Sequence, residues 1–447
     1  MRVGLAETMP DRHKLFFAVP LAVVLTVTVA GCAVTATTSS STSSWTSTST
    51  SVETSTDTSA SALWDSSTVH EISVDYDASD YDAMIQAYLD SGDKQWISAT
   101  VTIDGVTYEN VGLKLKGNST LRSLSTDADA TLSSRNPEDL PWIIRLDKYV
   151  DGQNFDGTTE LVVRGNSTET SLNEAVALGL LEDTGLAAEQ AIAVRFSADG
   201  SEEALRLVIE NPDDEWTERE LGDGLLYKAD ASGDYSYRGD DPASYDDVFD
   251  QEAGEDDLTP LIDFLQWINE SDDATFAAEL DQHLDVDAFA TYLAFQELVD
   301  NFDDIDGPGN NSYLYYDPDT GKMTVVNWDL NLAFGTSNVG GGGGGGQMGG
   351  GGRGGADRTD GAAVTTAARG GGGGGSNILS ERFLAYADFQ QLYQDALTTL
   401  QAELFDSGAA SELLEAWTTT LTEGASDLVD AATIASDAAA ISAKFPS

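Results

Sequence analysis

Cysteine occurs once in 447 residues, at Cys32. That excludes an intramolecular disulfide and a thiolate metal cluster. Histidine occurs three times, at His13, His70 and His283, far apart in the chain. A Ser-His-Asp hydrolase would have to use His70 or His283, and neither has a neighbouring nucleophile motif. Basic residues are also scarce. The chain carries 22 Lys and Arg against 77 Asp and Glu, a net charge of -55. Nucleic-acid binding needs clustered Lys and Arg, so no nucleic-acid partner is expected. An anionic membrane surface is disfavoured as the main partner for the same reason. Such an acidic surface suits solubility and salty or cation-rich surroundings. The scarcity makes each Lys or Arg inside an apolar strand informative.

No apolar run is long enough for an ordinary spanning helix. The longest, LFFAVPLAVVLTVTVAGC, follows Arg12, His13 and Lys14 and ends in small residues, as a cleaved export signal does. Met9 offers an alternative start. Residues 1–32 are therefore expected to be a signal peptide. VAGC resembles a bacterial lipobox, which would make Cys32 the lipidated first residue of the mature chain; the plainer alternative is an ordinary signal peptide. Residues 33–66, almost entirely Ser, Thr, Ala and Val at first, cannot build a core and read as a disordered tether. The expected location is the extracellular face of the cytoplasmic membrane, with membrane contact only through the lipid.

Folded sequence is expected from residue 67, as a sheet-rich lobe over 67–215 and a helical lobe over 216–447. HEISVDYD alternates as a strand does, and ASDYDAMIQAYLDSGD reads as a capped helix. WISATVTIDG and VTYENVGLKLKGNST read as strands joined by a turn at Asp104 and Gly105. In the second, Val111, Leu113 and Leu115 share one face, and Lys114 and Lys116 the other. PWIIRLD, TELVVRGN and the pair AIAVRFSADGSEEALRLVIEN add strands, and SLNEAVALGLLEDTGL has helical apolar spacing. LTPLIDFLQWINE and DVDAFATYLAFQELVDN read as amphipathic helices, as does most of the C-terminal part. Two glycine tracts bracket 339–376. They lack the fixed spacing of a phosphate loop and read as a disordered insertion.

The stretch with most chemistry is DNFDDIDGPGNNSYLYYDPDTGKMTVVNWDLNLAFG, from Asp300 to Gly335. It holds Asp303, Asp304 and Asp306, then Asn310 and Asn311, a hairpin, and Asp329. Carboxylate and amide oxygens divided by short strands suit Mg²⁺, Mn²⁺ or Ca²⁺, which take oxygen ligands. An EF-hand fails on register, because Gly307 at the turn would place Phe302 and Tyr313 at ligand positions. The Asp306 to Asn311 spacing matches a kinase catalytic loop, in which the Asp orients the attacking hydroxyl and the Asn holds metal. Asp303 competes with Asp306 for the catalytic role. Asp329 and Asn311 are the candidate metal ligands, and a strand-end cap is the plain reading of Asp329. Lys116, Lys228, Arg145 and Lys148 are candidate phosphate-binding cations, with a snorkelling side chain as the plain alternative. Glu174 is a candidate partner for such a lysine, or simply helix N-terminal charge. Glu210 is a candidate contact near a nucleotide base.

LKLKGNSTLR, IIRLDKYVDGQNFDGTTELVV, LVIENPDDEWTERELGDGLLYKAD and the Asp300–Gly335 stretch together resemble the CotH kinase family, the spore coat protein H-like proteins. The blocks follow in family order from about residue 70 to about 430, and YLYYD…WDLNLAFG carries most of the likeness. The resemblance implies an α+β, two-lobed, atypical kinase-like fold. It also implies use of ATP and divalent metal to phosphorylate a protein substrate at the cell surface. Asp329 matches the family's WD motif, and Asp303 stands where many members have an Asp after Asn. No GxGxxG nucleotide loop stands at the start of the fold, and the glycine insertion follows WDLNLAFG directly. The alternative is a non-catalytic surface protein of the same fold that binds cation or an envelope partner.

Overall fold

The computed structural model describes residues 63–336 and 377–446, apart from 119, 232 and 309. The expected export signal, Cys32, nearly all of the expected tether and the glycine tracts lie outside the described residues. Among the described residues no helix is long and apolar enough to cross a membrane.

The first half folds into a closed barrel. In chain order its strands are β1 (Val69–Tyr76), β2 (Ile97–Ile103) and β3 (Val106–Leu115). The two-residue β4 (Leu124–Ser125) and β5 (Leu132–Ser133) pair only with each other. Then come β6 (Trp142–Arg145), β7 (Glu160–Val163), β8 (Ala191–Ala198) and β9 (Ala204–Glu210). The barrel order is β1-β2-β3-β6-β7-β9-β8. Seven strands cannot close with antiparallel neighbours throughout, because directions alternate and the count is odd. The mismatch falls on β1 and β8, which pair in parallel, Val69 opposite Ala193.

Strand alternation fills the lumen. Val111, Leu113 and Leu115 of β3 point inward and are fully buried beside Val101, Trp142, Ile144, Leu161 and Phe196. The intervening Gly112, Lys114 and Lys116 face outward. Asp104 and Gly105 both have positive φ, 46° and 82°, which gives the tight β2–β3 turn its twist. Asp104 also accepts from the buried His70, Nδ1 to Oδ2 2.7 Å, while His70 Nε2 lies 3.0 Å from the Asp65 carbonyl. His70 is thereby held as a structural tie. The described residues ahead of position 67 pack onto the barrel as well. Leu63 is fully buried in the barrel core, and Trp64 donates to Thr158 Oγ1 at 2.9 Å.

Helix α1 (Ala78–Ser91) links β1 to β2, capped by Asp77, and α2 (Leu172–Asp183) follows β7. α2 is buried almost all round. It joins the outer barrel residues Val162, Leu205, Leu207 and Ile209 to the helices that follow, in one continuous second core. The short α3 (Asp214–Glu220) leads to a four-stranded antiparallel sheet of β10 (Leu225–Ala229), β11 (Phe249–Ala253), β12 (Ser312–Asp317) and β13 (Lys322–Asn327), in the order β11-β10-β12-β13. Between β11 and β12 lie α4 (Thr259–Glu270), α5 (Asp273–His283) and α6 (Val286–Leu298). His283 stacks on Trp267, ring centroids 4.0 Å apart. α7 (Ile378–Ala385), α8 (Ala387–Leu400), a π-helical turn at Gln401–Asp406, α9 (Ala409–Gly424) and α10 (Ala431–Ser442) complete the chain. The fold is α+β, and the described residues lie within one compact unit.

Candidate functional site

The antiparallel register puts four chain ends at one end of the four-stranded sheet: the end of β10, the start of β11, the start of β12 and the end of β13. Ser312 pairs with Asn327, so Asn311 and Trp328 leave the pair together. Lys228 pairs with Tyr313 there, and Asn310 Nδ2 donates to the Asp230 carbonyl at 3.3 Å. The acidic loop, Asp329 and Lys228 therefore share one edge, facing the barrel. The barrel contributes Lys116 just after β3, Arg145 at the end of β6, Glu160 at the start of β7, Arg164 just after β7, and Asn211 just after β9.

Trp328 is the centre of this arrangement. The Lys228 ammonium lies 4.7 Å from its ring centroid, the Lys116 ammonium 5.4 Å and the Arg164 guanidinium 5.9 Å. Tyr313 meets it edge-on at 5.4 Å. Cations over an indole face are attracted by its quadrupole, more strongly where water is excluded. In a chain with 22 basic residues, three of them around one ring is a concentration of positive charge that the composition opposes.

Lys116 has no carboxylate partner among the described residues. It donates to Asn211 Oδ1 at 2.9 Å, Asn211 Nδ2 donates to Glu160 Oε2 at 2.9 Å, and Glu160 Oε1 meets Arg145 Nη1 at 2.9 Å. Burial, then the like charge of Lys228, pulls the Lys116 ammonium down to about 7. The side chain keeps partial exposure while protein atoms crowd its charged end. Among the described residues Lys228 has only a loose ion pair, to Glu252 at 3.8 Å. Arg145, by contrast, is held by Asp147 at 2.7 Å and by Glu160.

Beside Trp328, Arg164 joins two carboxylates. It bonds Glu174 of α2, Nη2 to Oε1 2.8 Å and Nε to Oε2 3.0 Å, and Asp329 Oδ1. Glu174 thus pairs with an arginine, where the sequence suggested a lysine. Arg164 and Glu174 are buried, and two carboxylates on one guanidinium leave a net negative charge. Burial raises Glu174, Arg164 opposes that, and Asp329 adds to the rise. The carbonyl of Arg164 is held by the buried Arg206, Nε to O 3.1 Å, so the loop that presents Arg164 is itself fixed. Asp329 has φ 62° and ψ 68°, a left-handed conformation uncommon for a side-chain-bearing residue. It opens a 3₁₀ turn without a side-chain cap bond, so the simple capping reading does not describe it.

The acidic loop is tightly knit. Asn311 N donates to the Asp304 carbonyl at 3.2 Å and Asn311 Nδ2 to the Asp303 carbonyl at 2.9 Å. Asp306 N donates to Asp304 Oδ1 at 3.0 Å, and Asp306 Oδ1 accepts from Asn377 N, the cap of α7, at 2.9 Å. A Cβ at Gly307 would stand 2.5 Å from Asp303 Cα, so the turn requires glycine. Asp304 is buried, while Asp303 and Asp306 are half-buried. Glu210 takes Gln190 N at 2.9 Å and Arg219 at 2.8 Å. Among the described residues no three or more His, Cys, Asp or Glu side chains cluster as a metal cage. Two clefts of about 560 and 650 Å³ lie elsewhere, against α4 and α5 and against α8 and Lys444, and neither is lined by the cation cluster.

Sequence reading missed Arg164, Asn211, Glu160 and the role of Trp328. Arg164 carried a signal, a basic residue ending an apolar strand in a basic-poor chain. Asn211 and Glu160 carried none.

A family model described as "CotH kinase protein" matches residues 113–434, well over half of the chain. The chain belongs to that family. The match takes in the barrel from the end of β3 onward, the cation cluster, the acidic loop and Asp329. The chain is also similar to "Inner spore coat protein H" of Bacillus subtilis (strain 168), at 26% identity over 189 residues. That alignment covers 40% of this chain and 51% of the relative, so the chain spans about half the length of the curated relative it matches.

Proposed function

We propose that this CotH-family protein is a secreted kinase that transfers the terminal phosphoryl group of ATP to Ser or Thr of a surface or envelope protein. The observation that carries the reading is the cation cluster where the barrel meets the edge of the four-stranded sheet. It holds Lys116 and Lys228, neither closely neutralised, beside Trp328 and Asp329. Ammonium groups crowded by protein atoms are costly unless an anion meets them closely, and nucleotide phosphates supply that anion. On this reading the barrel and the helical part with its sheet act as the two lobes of an atypical kinase.

Lys116 and Lys228 hold phosphate oxygens. Arg164, fixed by Glu174 and Arg206, sets the position of Asp329. Asp303 or Asp306 orients the acceptor hydroxyl and takes its proton as the oxygen bonds to phosphorus and the nucleoside diphosphate leaves. Asp329 and Asn311 would hold Mg²⁺ or Mn²⁺, which neutralises charge on the phosphates. The donor set fits an ion held by one or two protein oxygens and shared with phosphates, as Mg²⁺ commonly is. The negative charge left over on the Glu174–Arg164–Asp329 group also favours a cation.

One observation favours a second reading, a non-catalytic relative of the same fold: one Asp329 oxygen is already engaged by Arg164. An export signal with a lipid on Cys32 would place either form at the outer face of the membrane, and the spore coat name of the relative agrees with a surface location. The test is ATP with Mg²⁺ or Mn²⁺ against the purified protein. Binding should raise the melting temperature, and label should pass to a generic acceptor protein. Absence of both effects would sink the kinase reading, and a temperature rise without transfer would favour the second.

A further inference from the structure

A second tryptophan carries a second set of lysines. Trp96, half-buried in the loop between α1 and β2, has the Lys114 ammonium 4.3 Å and the Lys148 ammonium 5.0 Å from its ring centroid. Lys94, two residues before it, donates to Asn118 Oδ1 at 2.8 Å. The platform is built into the outer barrel wall. A Cβ at Gly112 would stand 2.6 Å from Lys148 Cβ and 3.0 Å from the Trp96 ring, so glycine there lets both lie flat on β3. None of Lys94, Lys114 and Lys148 forms an ion pair with a carboxylate among the described residues. The chain has 77 carboxylates, so three lysines gathered without one mark a place kept positive.

This platform adjoins the phosphate-holding cations. Lys94 and Lys114 are both held below the ordinary lysine range by burial first, and each also feels the positive charge of Lys228. The carboxylates that face the group are Asp230 toward Lys94, and Glu160 and Glu252 toward Lys114, all acting at longer range. Lys116 and Lys228 suffice for donor phosphates. The Trp96 lysines lie further out, and Lys148 is exposed. The exposed edge of the platform is open to a macromolecular acceptor.

We infer that the Trp96 platform, with Lys94, Lys114 and Lys148, docks an anionic segment of the acceptor protein, one bearing carboxylates or phosphate groups beside the target hydroxyl. The inference rests on the kinase reading for its acceptor. Its ligand chemistry is the opposite of what the net charge of the chain would select. A protein at -55 attracts basic partners by its overall field, whereas this patch selects acidic ones locally.

The test uses the full chain and three fluorescein-labelled peptides sharing one central Ser, flanked by Glu, by phosphoserine or by Lys. Binding is read by anisotropy without nucleotide. Both anionic peptides should bind, more weakly as salt rises, and about tenfold more weakly to a Lys94→Gln, Lys114→Gln double variant. Binding of only the phosphoserine peptide would narrow the ligand to phosphate and still support the inference. The variant should keep the wild-type nucleotide-induced rise in melting temperature. Tighter binding of the Lys peptide, unchanged anionic binding in the variant, or loss of its nucleotide effect would each overturn the inference. Failure of the kinase reading shows separately, as no nucleotide effect on the wild type.

Discussion

Arg164 and Asp329 are 165 positions apart in sequence and joined by an ion pair. One follows a barrel strand and the other follows the last strand of the four-stranded sheet. The pair therefore ties the two halves together at the candidate site. Glu174 of α2 completes it.

Removing the arginine should be costly, because it strands the buried Glu174 beside Asp329. Arg164→Met is expected to lower stability by about 3–5 kcal/mol, the range for breaking a buried pair by removing one partner. Denaturant unfolding measures it. Adding Glu174→Gln should recover part of the loss, since the uncompensated charge is then gone. A double variant whose cost is the sum of the two single ones would show that the residues do not act as a unit.

Lys116 makes the protein sensitive to pH. Its ammonium titrates near 7 in the fold and at the ordinary lysine value of 10.5 in the unfolded chain. Below pH 7 both states are protonated, and the cost of holding the charge near Lys228 is fully present. Between 7 and 10.5 the unfolded chain keeps a proton that the fold has released, so stability rises with pH across that window. Lys116→Met should flatten the rise. Phosphate binding favours the charged form, so nucleotide affinity should fall as pH climbs past 7, toward about tenfold per unit for one linked proton. Calorimetry in buffers of different ionisation enthalpy should show proton uptake on binding above pH 7. A flat profile would contradict this role.

Glu189, between α2 and β8, is buried, and among the described residues neither carboxyl oxygen has a hydrogen-bond partner on another residue. Burial pushes it up to about 8 from 4.5. A raised carboxyl stabilises the fold below the unfolded value and loses that contribution as pH rises, here across 4.5 to 8. Glu189→Gln should remove that slope and be more stable than wild type above pH 8, by roughly a few kcal/mol at most. Melting temperature against pH for both proteins checks it.

Much of the fold was legible because strand alternation is a local signal. Val111, Leu113 and Leu115 against Lys114 and Lys116 gave the two faces of β3, and Asp104-Gly105 gave its turn. Closure of the barrel was not legible. It depends on the parallel pairing of Val69 with Ala193, more than a hundred residues away, and no local pattern encodes it. The candidate site divides the same way. Asp329 and the lysines stand out as charges in apolar surroundings. The Lys116–Asn211–Glu160 chain does not, because an Asn after a strand looks like any turn. The opening of α5 at Asp273 was likewise hidden, since its helix has many small and acidic residues and little apolar stripe.

The most direct measurement is label transfer from ATP, with Mg²⁺ or Mn²⁺, by wild type, Asp329→Asn and Asp319→Ala. Asp319 lies in the exposed β12–β13 turn, at the far end of the sheet from Asp329. Wild type and Asp319→Ala should transfer label equally, and Asp329→Asn should lose at least about a hundredfold, as expected for a group that stabilises charge in the transition state. Wild type that transfers nothing, or Asp329→Asn that transfers as well as wild type, would contradict the account.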